Sequence, residues 1–314
     1  MPLRRIAAWL LLLGPFWPAA LAFFCKTQTL PSSGLLPWFA TIHPLWSSAI
    51  LLCAYVNLLF VLGLVLANHS IFDFNWSMLP AAFFTPYFAL HPTAPPLGAR
   101  FWLIFVAVSL WSLRLTGNWL YKGGLGFEDF RYINYRKQMS PAVFFVFAYV
   151  ALFLVQAAMI YAMCTPIYVA LRAGTSVNLL DYMAALIVVG GTLGELVADA
   201  QLHRFRARRD AGQTSQRFCT EGLWRWSRHP NYFFEICVWW GVYLFAVAAT
   251  GQWLHWSILG PLTIHGLFLG GSVRLTEAHE LARKPEYAEY QRTTSRLLPW
   301  PPRSTAAAAT RPSP

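Results

Sequence analysis

The sequence predicts an all-α, polytopic membrane protein: a bundle of about seven core transmembrane helices preceded by an N-terminal hydrophobic segment. Three observations lead to this prediction. Of the 314 residues, 57% are hydrophobic and only 12% are charged, as in chains that lie mostly in lipid. Tryptophan and tyrosine are abundant, with 15 and 13 residues, as in the aromatic belts of membrane interfaces. Apolar runs of spanning length alternate with short basic segments.

The N-terminal part divides into two segments. Residues 1–24 open with two arginines, an apolar run and a stretch of small residues, a pattern that resembles a signal peptide or a signal anchor. Residues 25–44 are rich in proline, serine and glycine and are predicted to be a connector. The membrane domain then covers residues 45–303, and the low-complexity residues 304–314 are predicted to be a disordered tail.

Seven apolar runs predict the core helices. In chain order they cover residues 45–66, a shorter run ending near residue 90, then 101–121, 142–171, 181–202, 232–249 and 253–273. The run 142–171 is long enough either to tilt in the bilayer or to break at Pro166.

The charged loops predict an orientation. One side of the membrane receives residues 122–137, residues 204–228 and the basic C-terminus, whereas the other receives only Lys26, Arg100 and Arg172. The positive-inside rule makes the basic side cytosolic. In a eukaryote we expect the endoplasmic reticulum membrane, with any soluble cofactor bound from the cytosol.

Two features of the composition exclude common functions. The net charge of +11 does not indicate nucleic-acid binding, because the basic residues lie in short loops between apolar helices. The five cysteines are scattered without the spacing of a zinc site or a redox pair. We therefore expect neither a metal site nor a disulfide framework.

Several predicted helices carry ionisable groups, which lipid penalises unless they have partners. Asp73 begins the second run and suits either a helix-capping acid or an acid that faces a cavity. Arg114 suits either a structural ion pair or a binding role. Glu195, Asp199 and His203 are spaced by four and share one helix face. That face suits a salt-bridged helix end or a cofactor site, and we favour the cofactor site because the basic loop follows.

That basic loop is the most informative stretch of the chain. Residues 221–235 read Glu-Gly-Leu-Trp-Arg-Trp-Ser-Arg-His-Pro-Asn-Tyr-Phe-Phe-Glu and lead directly into an apolar helix. Its candidate ligand-binding members are Arg228, His229, Asn231, Tyr232 and Glu235. Hydrogen-bond donors at a helix N-terminus suit a phosphate group, and the arginines of the linker 204–217 suit an anionic ligand or lipid. We interpret this segment as the binding site of a phosphorylated cofactor at the membrane surface.

These motifs resemble the steroid 5-alpha-reductase superfamily, and more closely its uncharacterised membrane branch. The resemblance covers about residues 68–299. It rests on residues 222–235, the following Trp-Trp-Gly, the Glu195-x-x-x-Asp199 pattern and the pair Tyr287 and Tyr290. Similar Arg-His-Pro-Asn-Tyr motifs occur in sterol C14 reductases and in isoprenylcysteine methyltransferases, so the motif fits more than one reaction.

The resemblance implies that the half of the domain at about residues 181–300 binds NADPH. By position, the implied contacts are Arg114, Asp199, Arg206, Arg217, Asn231 and Glu235. Glu195, Arg228, His229 and Tyr232 are expected beside them. Arginine suits the diphosphate and the 2′-phosphate, and the asparagine and aspartate suit ribose and amide edges.

The resemblance also implies a reaction, hydride transfer to the β-carbon of an enone while a polar group stabilises the oxygen. Steroid reductases use a glutamate and a tyrosine for this. Asp73 and Trp111 fall near those positions. Because indole donates a hydrogen bond but transfers no proton, we expect reduction of some lipid double bond rather than steroid 5-alpha reduction itself. Tyr132 or Tyr121 could substitute, but the sequence selects neither.

Three functions follow from this sequence. The first is an NADPH-dependent reductase whose substrate is a hydrophobic small molecule or lipid, with membrane lipids as its other partners. The second is an S-adenosylmethionine-dependent membrane methyltransferase, because Arg274-x-x-Glu277-x-x-Glu280 resembles its C-terminal pattern. Adenosylmethionine has no phosphate to occupy the basic linker, which favours the first. The third is a non-catalytic membrane protein that retains the fold.

Overall fold

The structure is a computed structural model that describes residues 13–27, 34–123 and 128–303. The regular secondary structure of these residues is helical. The start of the predicted signal segment, the glycines at 124 and 126 and the predicted tail 304–314 lie outside the described residues. The predicted connector 25–44 contains a short helix, Leu35–Thr41.

The helices are numbered in chain order. They are α1, Trp17–Thr27; α2, Leu35–Thr41; α3, Pro44–Leu66; α4, residues 71–90; α5, Ala99–Tyr121; α6, Phe130–Gln138; α7, Pro141–Arg172; α8, Leu179–Asp210; α9, Pro230–Thr250; α10, Trp256–Arg283; and α11, Tyr287–Thr293. Six of these, α3, α5 and α7–α10, are long and apolar enough to cross a membrane. The prediction of a polytopic helical membrane protein is confirmed.

Helix α4 corresponds to the second predicted span but is not among those six helices. It consists of Ile71–Leu79, the π-helical turn Pro80–Phe84 and Thr85–Leu90. None of its residues is exposed, so protein rather than lipid surrounds it. Its polar residues lower its hydropathy, and they have protein partners: Tyr55 donates to Asn75 Oδ1 at 2.8 Å.

Prolines inside the helices are accommodated without a break. In α7, Pro166 has no N–H to donate to the carbonyl of Ala162. The hydroxyl of Thr165 donates to that carbonyl instead, at 2.7 Å, and the helix continues to Arg172. Of the two alternatives for this run, the break at Pro166 is therefore not adopted. In α4, Thr85 Oγ1 similarly donates to the carbonyl of Pro80, at 2.8 Å.

The chain forms two compact units. Unit 1 comprises Met1–Ala185 with Gly241–Gly260, and unit 2 comprises Leu186–Trp240 with Pro261–Pro314. In unit 1, α4 runs between the same two ends as α7. The N–H of His69, before α4, donates to Glu128 Oε1 at 2.9 Å, in the segment that precedes α7. Thr93, after α4, accepts from Arg172, the last residue of α7, at 3.0 Å.

A buried ion pair closes one end of unit 1. Arg100 binds Asp181 through one edge of its guanidinium group, with Nε–Oδ1 and Nη2–Oδ2 distances of 2.7 and 2.9 Å. Its remaining donors reach the carbonyls of Thr175 and Ser176, at 2.7 and 2.8 Å. Because both side chains are nearly inaccessible to solvent, this bidentate geometry is what makes the buried charges tolerable.

Close packing of α8 against α9 organises unit 2. A methyl group added at Gly191 would lie 2.9 Å from Val238 Cγ2 and 3.0 Å from the carbonyl oxygen of Phe234, and one added at Gly194 would meet the Phe234 ring. Small residues permit this close backbone approach, as they do between membrane helices generally. Residue numbers rise along α8 as they fall along α9, so the two helices are antiparallel.

The neighbouring glycines 190 and 191 offer a matched test of this packing. Gly191→Ala should lower the free energy of unfolding by about 1–3 kcal/mol, because the added methyl overpacks the contact with backbone atoms of α9. Gly190→Ala should change it little or raise it by up to about 1 kcal/mol, because no atom lies within 4 Å of the added carbon and alanine favours the helix. Reversible unfolding in mixed micelles measures both, and equal effects would contradict the packing argument.

Candidate functional site

The candidate residues are divided between the two units. Asp73, Trp111 and Arg114 belong to unit 1. The others belong to unit 2: Glu195, Asp199, Arg206, Arg217, Arg228, His229, Asn231, Tyr232 and Glu235.

In unit 2 the basic loop is organised around Glu277 of α10. Arg228 donates through Nε to Glu277 Oε1 at 2.7 Å and through Nη2 to Oε2 at 3.2 Å. His229 Nε2 lies 3.0 Å from Oε1, and Gln291 Nε2 donates to Oε2 at 3.1 Å. Arg228, His229 and Glu277 are all buried. The carboxylate therefore has two cationic or polar neighbours from the loop and one from α11.

The same loop is bonded to the C-terminal segment. Arg228 Nη1 donates to the carbonyls of Gln291 and Thr294 at 2.7 and 2.6 Å. The N–H of Arg228 donates to the carbonyl of Ser295 at 2.8 Å, and the hydroxyl of Tyr290 donates to the carbonyl of Trp224. Arg228 therefore uses nearly all of its hydrogen-bond donors to connect the loop to α10 and the C-terminal segment.

Helices α8 and α9 bring the acidic candidates of unit 2 to buried positions. Glu195 and Asp199 follow the buried face of α8, whose opposite face exposes leucine and valine. Glu235, one turn into α9, is also buried and accepts from Trp239 Nε1 at 2.9 Å. Lipid-facing helices carry such groups only where protein or a ligand satisfies them.

Asn231 is the polar group of unit 2 that most directly suits a ligand. Its Oδ1 is buried and accepts no hydrogen bond from the described residues. Trp224 Nε1 donates to the carbonyl of Ala198 at 2.9 Å, which fixes the loop against α8 one turn beyond the Gly194 contact. The antiparallel packing of α8 and α9 therefore brings Asn231 level with Asp199. A buried acceptor without a donor costs free energy that a bound N–H or O–H would recover.

The remaining candidates of unit 2 have different environments. Tyr232 is stacked between rings, with centroids 5.4 Å from His229 and 4.3 Å from Phe268. Arg217 is directed to the C-terminal segment, where it donates to the carbonyl of Arg283 at 2.7 Å and lies 3.0 Å from Glu286. These two residues are thus held by protein contacts.

Arg206, by contrast, is exposed and forms no ion pair with the described residues. Its neighbour Arg208 is paired with Glu221 at 2.6 Å, and Arg209 with Asp210 at 2.9 Å. Within the linker, Arg206 therefore keeps a guanidinium that is available to an anion.

In unit 1 the hydroxyl of Tyr132 donates to Asp73 Oδ1 at 2.7 Å. Tyr132, in α6, is buried. Burial raises the pKa of the Asp73 carboxyl to about 6, although the hydrogen bond from Tyr132 acts in the opposite direction. Burial also raises the pKa of the Tyr132 phenol. Of the tyrosines that the sequence left open, Tyr132 is the one bonded to Asp73.

The other two candidates of unit 1 lie on α5. Trp111 is fully buried, and Arg114, one turn further, is half-buried. Sequence reasoning missed the central position of Glu277, which it named only as part of the pattern from Arg274 to Glu280. The signal was present, because the adjacent Arg228 and His229 required a buried counter-charge.

A conservative substitution tests the Glu277 cluster. Glu277→Gln should lower the free energy of unfolding by about 3–5 kcal/mol, because it leaves the Arg228 charge buried without a counter-charge. The matched control is Glu280→Gln on the same helix. Glu280 pairs with Lys284 at 2.5 Å in a more exposed position. Loss of this ion pair should lower the free energy of unfolding by less than about 1 kcal/mol. Denaturation in detergent compares the two, and limited proteolysis reports release of the C-terminal segment. Similar losses for both variants would contradict the central role of Glu277.

The raised pKa of Asp73 predicts the pH dependence of stability. At a pH between 3.8, the ordinary pKa of an aspartate, and about 6, the Asp73 carboxyl is ionised in the unfolded protein but still protonated in the folded protein. Relative to Asp73→Asn, the wild type should therefore lose stability as the pH rises through this range and then remain constant.

A second aspartate provides a control of opposite sign. At Asp129 burial acts to raise the pKa, but hydrogen bonds from Arg131 outweigh it and lower the pKa. Relative to Asp129→Asn, the wild type should gain stability as the pH rises towards 3.8. The midpoint of thermal unfolding against pH measures both differences. The same sign for both residues would refute the assignment at Asp73.

Comparison with known proteins places the chain in a family. The family described as "Protein of unknown function (DUF1295)" matches residues 59–294, a range that includes every candidate residue above. An uncharacterised protein of Schizosaccharomyces pombe is 31% identical over an alignment of 267 positions, and the alignment covers 76% of this chain and 77% of that protein. No solved structure matches the chain. On the extent of these matches, the chain belongs to the DUF1295 family.

Proposed function

We propose that this protein is a membrane reductase that uses NADPH to reduce a carbon–carbon double bond conjugated to a carbonyl group in a hydrophobic small molecule or lipid. The observation that carries the proposal is the hydrogen bond from Tyr132 to Asp73. Reduction of an enone needs a group that stabilises negative charge on the oxygen and delivers a proton. A buried phenol bonded to a carboxyl with a pKa of about 6 suits both tasks.

We propose that Tyr132 takes the role for which the sequence offered Trp111. The indole of Trp111 is fully buried and has no transferable proton. We assign proton delivery to the phenol of Tyr132. Its single O–H turns from Asp73 to the substrate oxygen, and the protonated form of Asp73 returns a proton to the phenolate. Tyr132 lies on α6, outside the six helices that are long and apolar enough to span a membrane.

The residues of unit 2 fit the cofactor. The unsatisfied Oδ1 of Asn231 suits an amide or ribose donor, and Asp199 lies level with it. Glu195 and Glu235 would complete the polar face. Arg206, exposed and without an acidic partner, would bind a phosphate group. When bound, NADPH supplies the hydride that the reaction requires.

Other candidates support this cofactor less directly. Arg114 stays a candidate contact from unit 1. Arg228, His229 and Tyr232 hold the loop that carries Asn231, and Arg217 is bonded to the C-terminal segment. In the proposed reductase these side chains shape the cofactor site rather than bind its phosphates.

The methyltransferase alternative receives less support. The sequence supported a methyltransferase through the pattern from Arg274 to Glu280. The central residue of that pattern, Glu277, is hydrogen-bonded to Arg228, His229 and Gln291. An internal ion pair thus accounts for this glutamate. Methyl transfer from adenosylmethionine also makes no use of a proton donor such as Tyr132.

Ligand-dependent thermal stability tests the cofactor. NADPH at about 100 times its dissociation constant should stabilise the purified protein by about 2.7 kcal/mol, whereas NADH and S-adenosylmethionine should stabilise it less. Asn231→Ala should remove most of the effect, and Asn134→Ala, at an exposed position of α6, should leave it unchanged. Stabilisation by S-adenosylmethionine alone would replace the reductase with the methyltransferase. Stabilisation by none of the three would favour a non-catalytic protein.

A pair of phenylalanine variants tests the proton donor. Tyr132→Phe should retain the NADPH-induced stabilisation but lower turnover by roughly 10²–10⁴-fold, the usual contribution of a positioned acid. Tyr135→Phe, three residues along the same helix and packed on Phe147, should turn over like the wild type. NADPH oxidation against a panel of enone lipids provides the assay. Normal turnover by Tyr132→Phe would overturn the assignment.

A further inference from the structure

A cationic pocket lies in the C-terminal part of unit 2. Its volume is about 250 Å³. The lining consists of Arg228, residues 291–296, Trp300, Pro301 and Arg303. Four of these residues are arginines and three are threonine or serine, and no carboxylate is among them. Apart from Arg228, the pocket's lining residues have no part in the functions considered so far.

Main-chain hydrogen bonds build the pocket. The N–H of Arg303 donates to the carbonyl of Thr293 at 2.9 Å, which closes residues 293–303 into a loop. The loop is attached to the basic segment by the hydroxyl of Ser227, which donates to the carbonyl of Leu297 at 2.7 Å. Arg228 forms the floor, and Glu277 balances its charge. The arrangement is therefore fixed by the fold rather than by chance contacts of surface side chains.

Two arginines of the rim have charges that the protein does not balance. Arg292 is paired with Glu289, whereas Arg296 and Arg303 are exposed and have no acidic partner within the described residues. Guanidinium groups bind phosphate in a bidentate manner. The pocket is smaller than the roughly 300–1,000 Å³ typical of sites for drug-sized ligands. It therefore suits a phosphate group with a small substituent rather than a dinucleotide.

Exposed apolar side chains adjoin these arginines. Trp226, Leu298 and Trp300 are 44%, 58% and 62% exposed. The N–H of Trp300 donates to the carbonyl of Trp226 at 3.0 Å, so the two exposed tryptophans are adjacent. Trp226 precedes by four residues the start of the spanning helix α9 at Pro230. Tryptophan beside arginine at the end of a spanning helix is the composition of the headgroup region of a membrane.

We propose that this pocket binds the phosphate of an anionic lipid headgroup. Arg296 and Arg303 bind the phosphate, Thr294 and Ser295 offer hydroxyl groups beside it, and Trp226 and Trp300 lie in the lipid interface. A soluble phosphate ester shares the same chemistry, but it would make no use of the exposed indoles. The lipid would bind from the leaflet that faces the basic loops.

Lipid binding to the purified full-length protein provides the test. The probes are phosphatidic acid in phosphatidylcholine nanodiscs, phosphatidylcholine alone, and soluble glycerol 3-phosphate. Native mass spectrometry counts bound lipid, and thermal unfolding reports stabilisation. Phosphatidic acid should be retained and should stabilise, whereas phosphatidylcholine alone and glycerol 3-phosphate should not.

Three variants locate the site. The double variant Arg296→Gln/Arg303→Gln should bind phosphatidic acid roughly 30-fold more weakly, since each basic residue near an anionic surface contributes about a factor of five. Trp300→Ala should also weaken the binding of phosphatidic acid. The control Lys122→Gln/Lys137→Gln removes the same charge from unit 1 on the same predicted side and should retain binding. All variants should melt like the wild type in neutral detergent, which separates loss of binding from loss of fold.

Each contrary outcome overturns the proposal. Strong competition by glycerol 3-phosphate would assign the pocket to a soluble phosphate ester instead. Equal binding by the arginine double variant and the lysine control would show that only the overall charge matters. Absence of selective phosphatidic acid binding would leave the arginines without this ligand. None of these measurements depends on NADPH, so the reductase proposal stands or fails separately.

Discussion

Glu277 places one carboxylate where Arg228, His229 and Gln291 converge, and the described part of unit 2 depends on this buried group. Burying a carboxylate near a spanning helix is unfavourable unless hydrogen bonds and a counter-charge compensate it. Here Arg228 supplies both, and its other donors reach carbonyls of the C-terminal segment. One ion pair thus joins the basic loop, the end of α10 and α11. The loop that carries Asn231 acquires its position from that arrangement.

The basic loop consequently has a structural and a binding part. Arg228 and His229, which sequence reasoning assigned to a cofactor, use their polar atoms on protein partners. Asn231 begins the next helix and retains a buried acceptor. Because a motif read as letters does not separate supporting residues from ligands, only their hydrogen bonds distinguish them. The same distinction applies to Arg206 and Arg217, which look equivalent in the sequence but differ in their partners.

Sequence analysis predicted the helical membrane fold because apolarity and length decide it. The spacing of Glu195 and Asp199 also predicted their common face, since helix geometry fixes it. It could not predict that Tyr132 bonds Asp73, because the two residues are 59 positions apart and meet through tertiary packing. Nor could it predict the pocket around Arg296, which arises from hydrogen bonds between main-chain groups. Contacts between distant segments leave no periodic pattern in the amino-acid sequence from which they could be predicted.

The enclosure of α4 has a consequence for how the protein is made. A helix with an aspartate and an asparagine partitions poorly into lipid on its own, because each polar group at membrane depth opposes insertion. Helix α4 packs against α1, α3, α5 and α7, and the last two of these are synthesised after it. We therefore expect the newly made helix to stay beside the insertion machinery, or in a shallow position, until later segments shield it. On this view unit 1 assembles cooperatively and late, rather than one helix at a time.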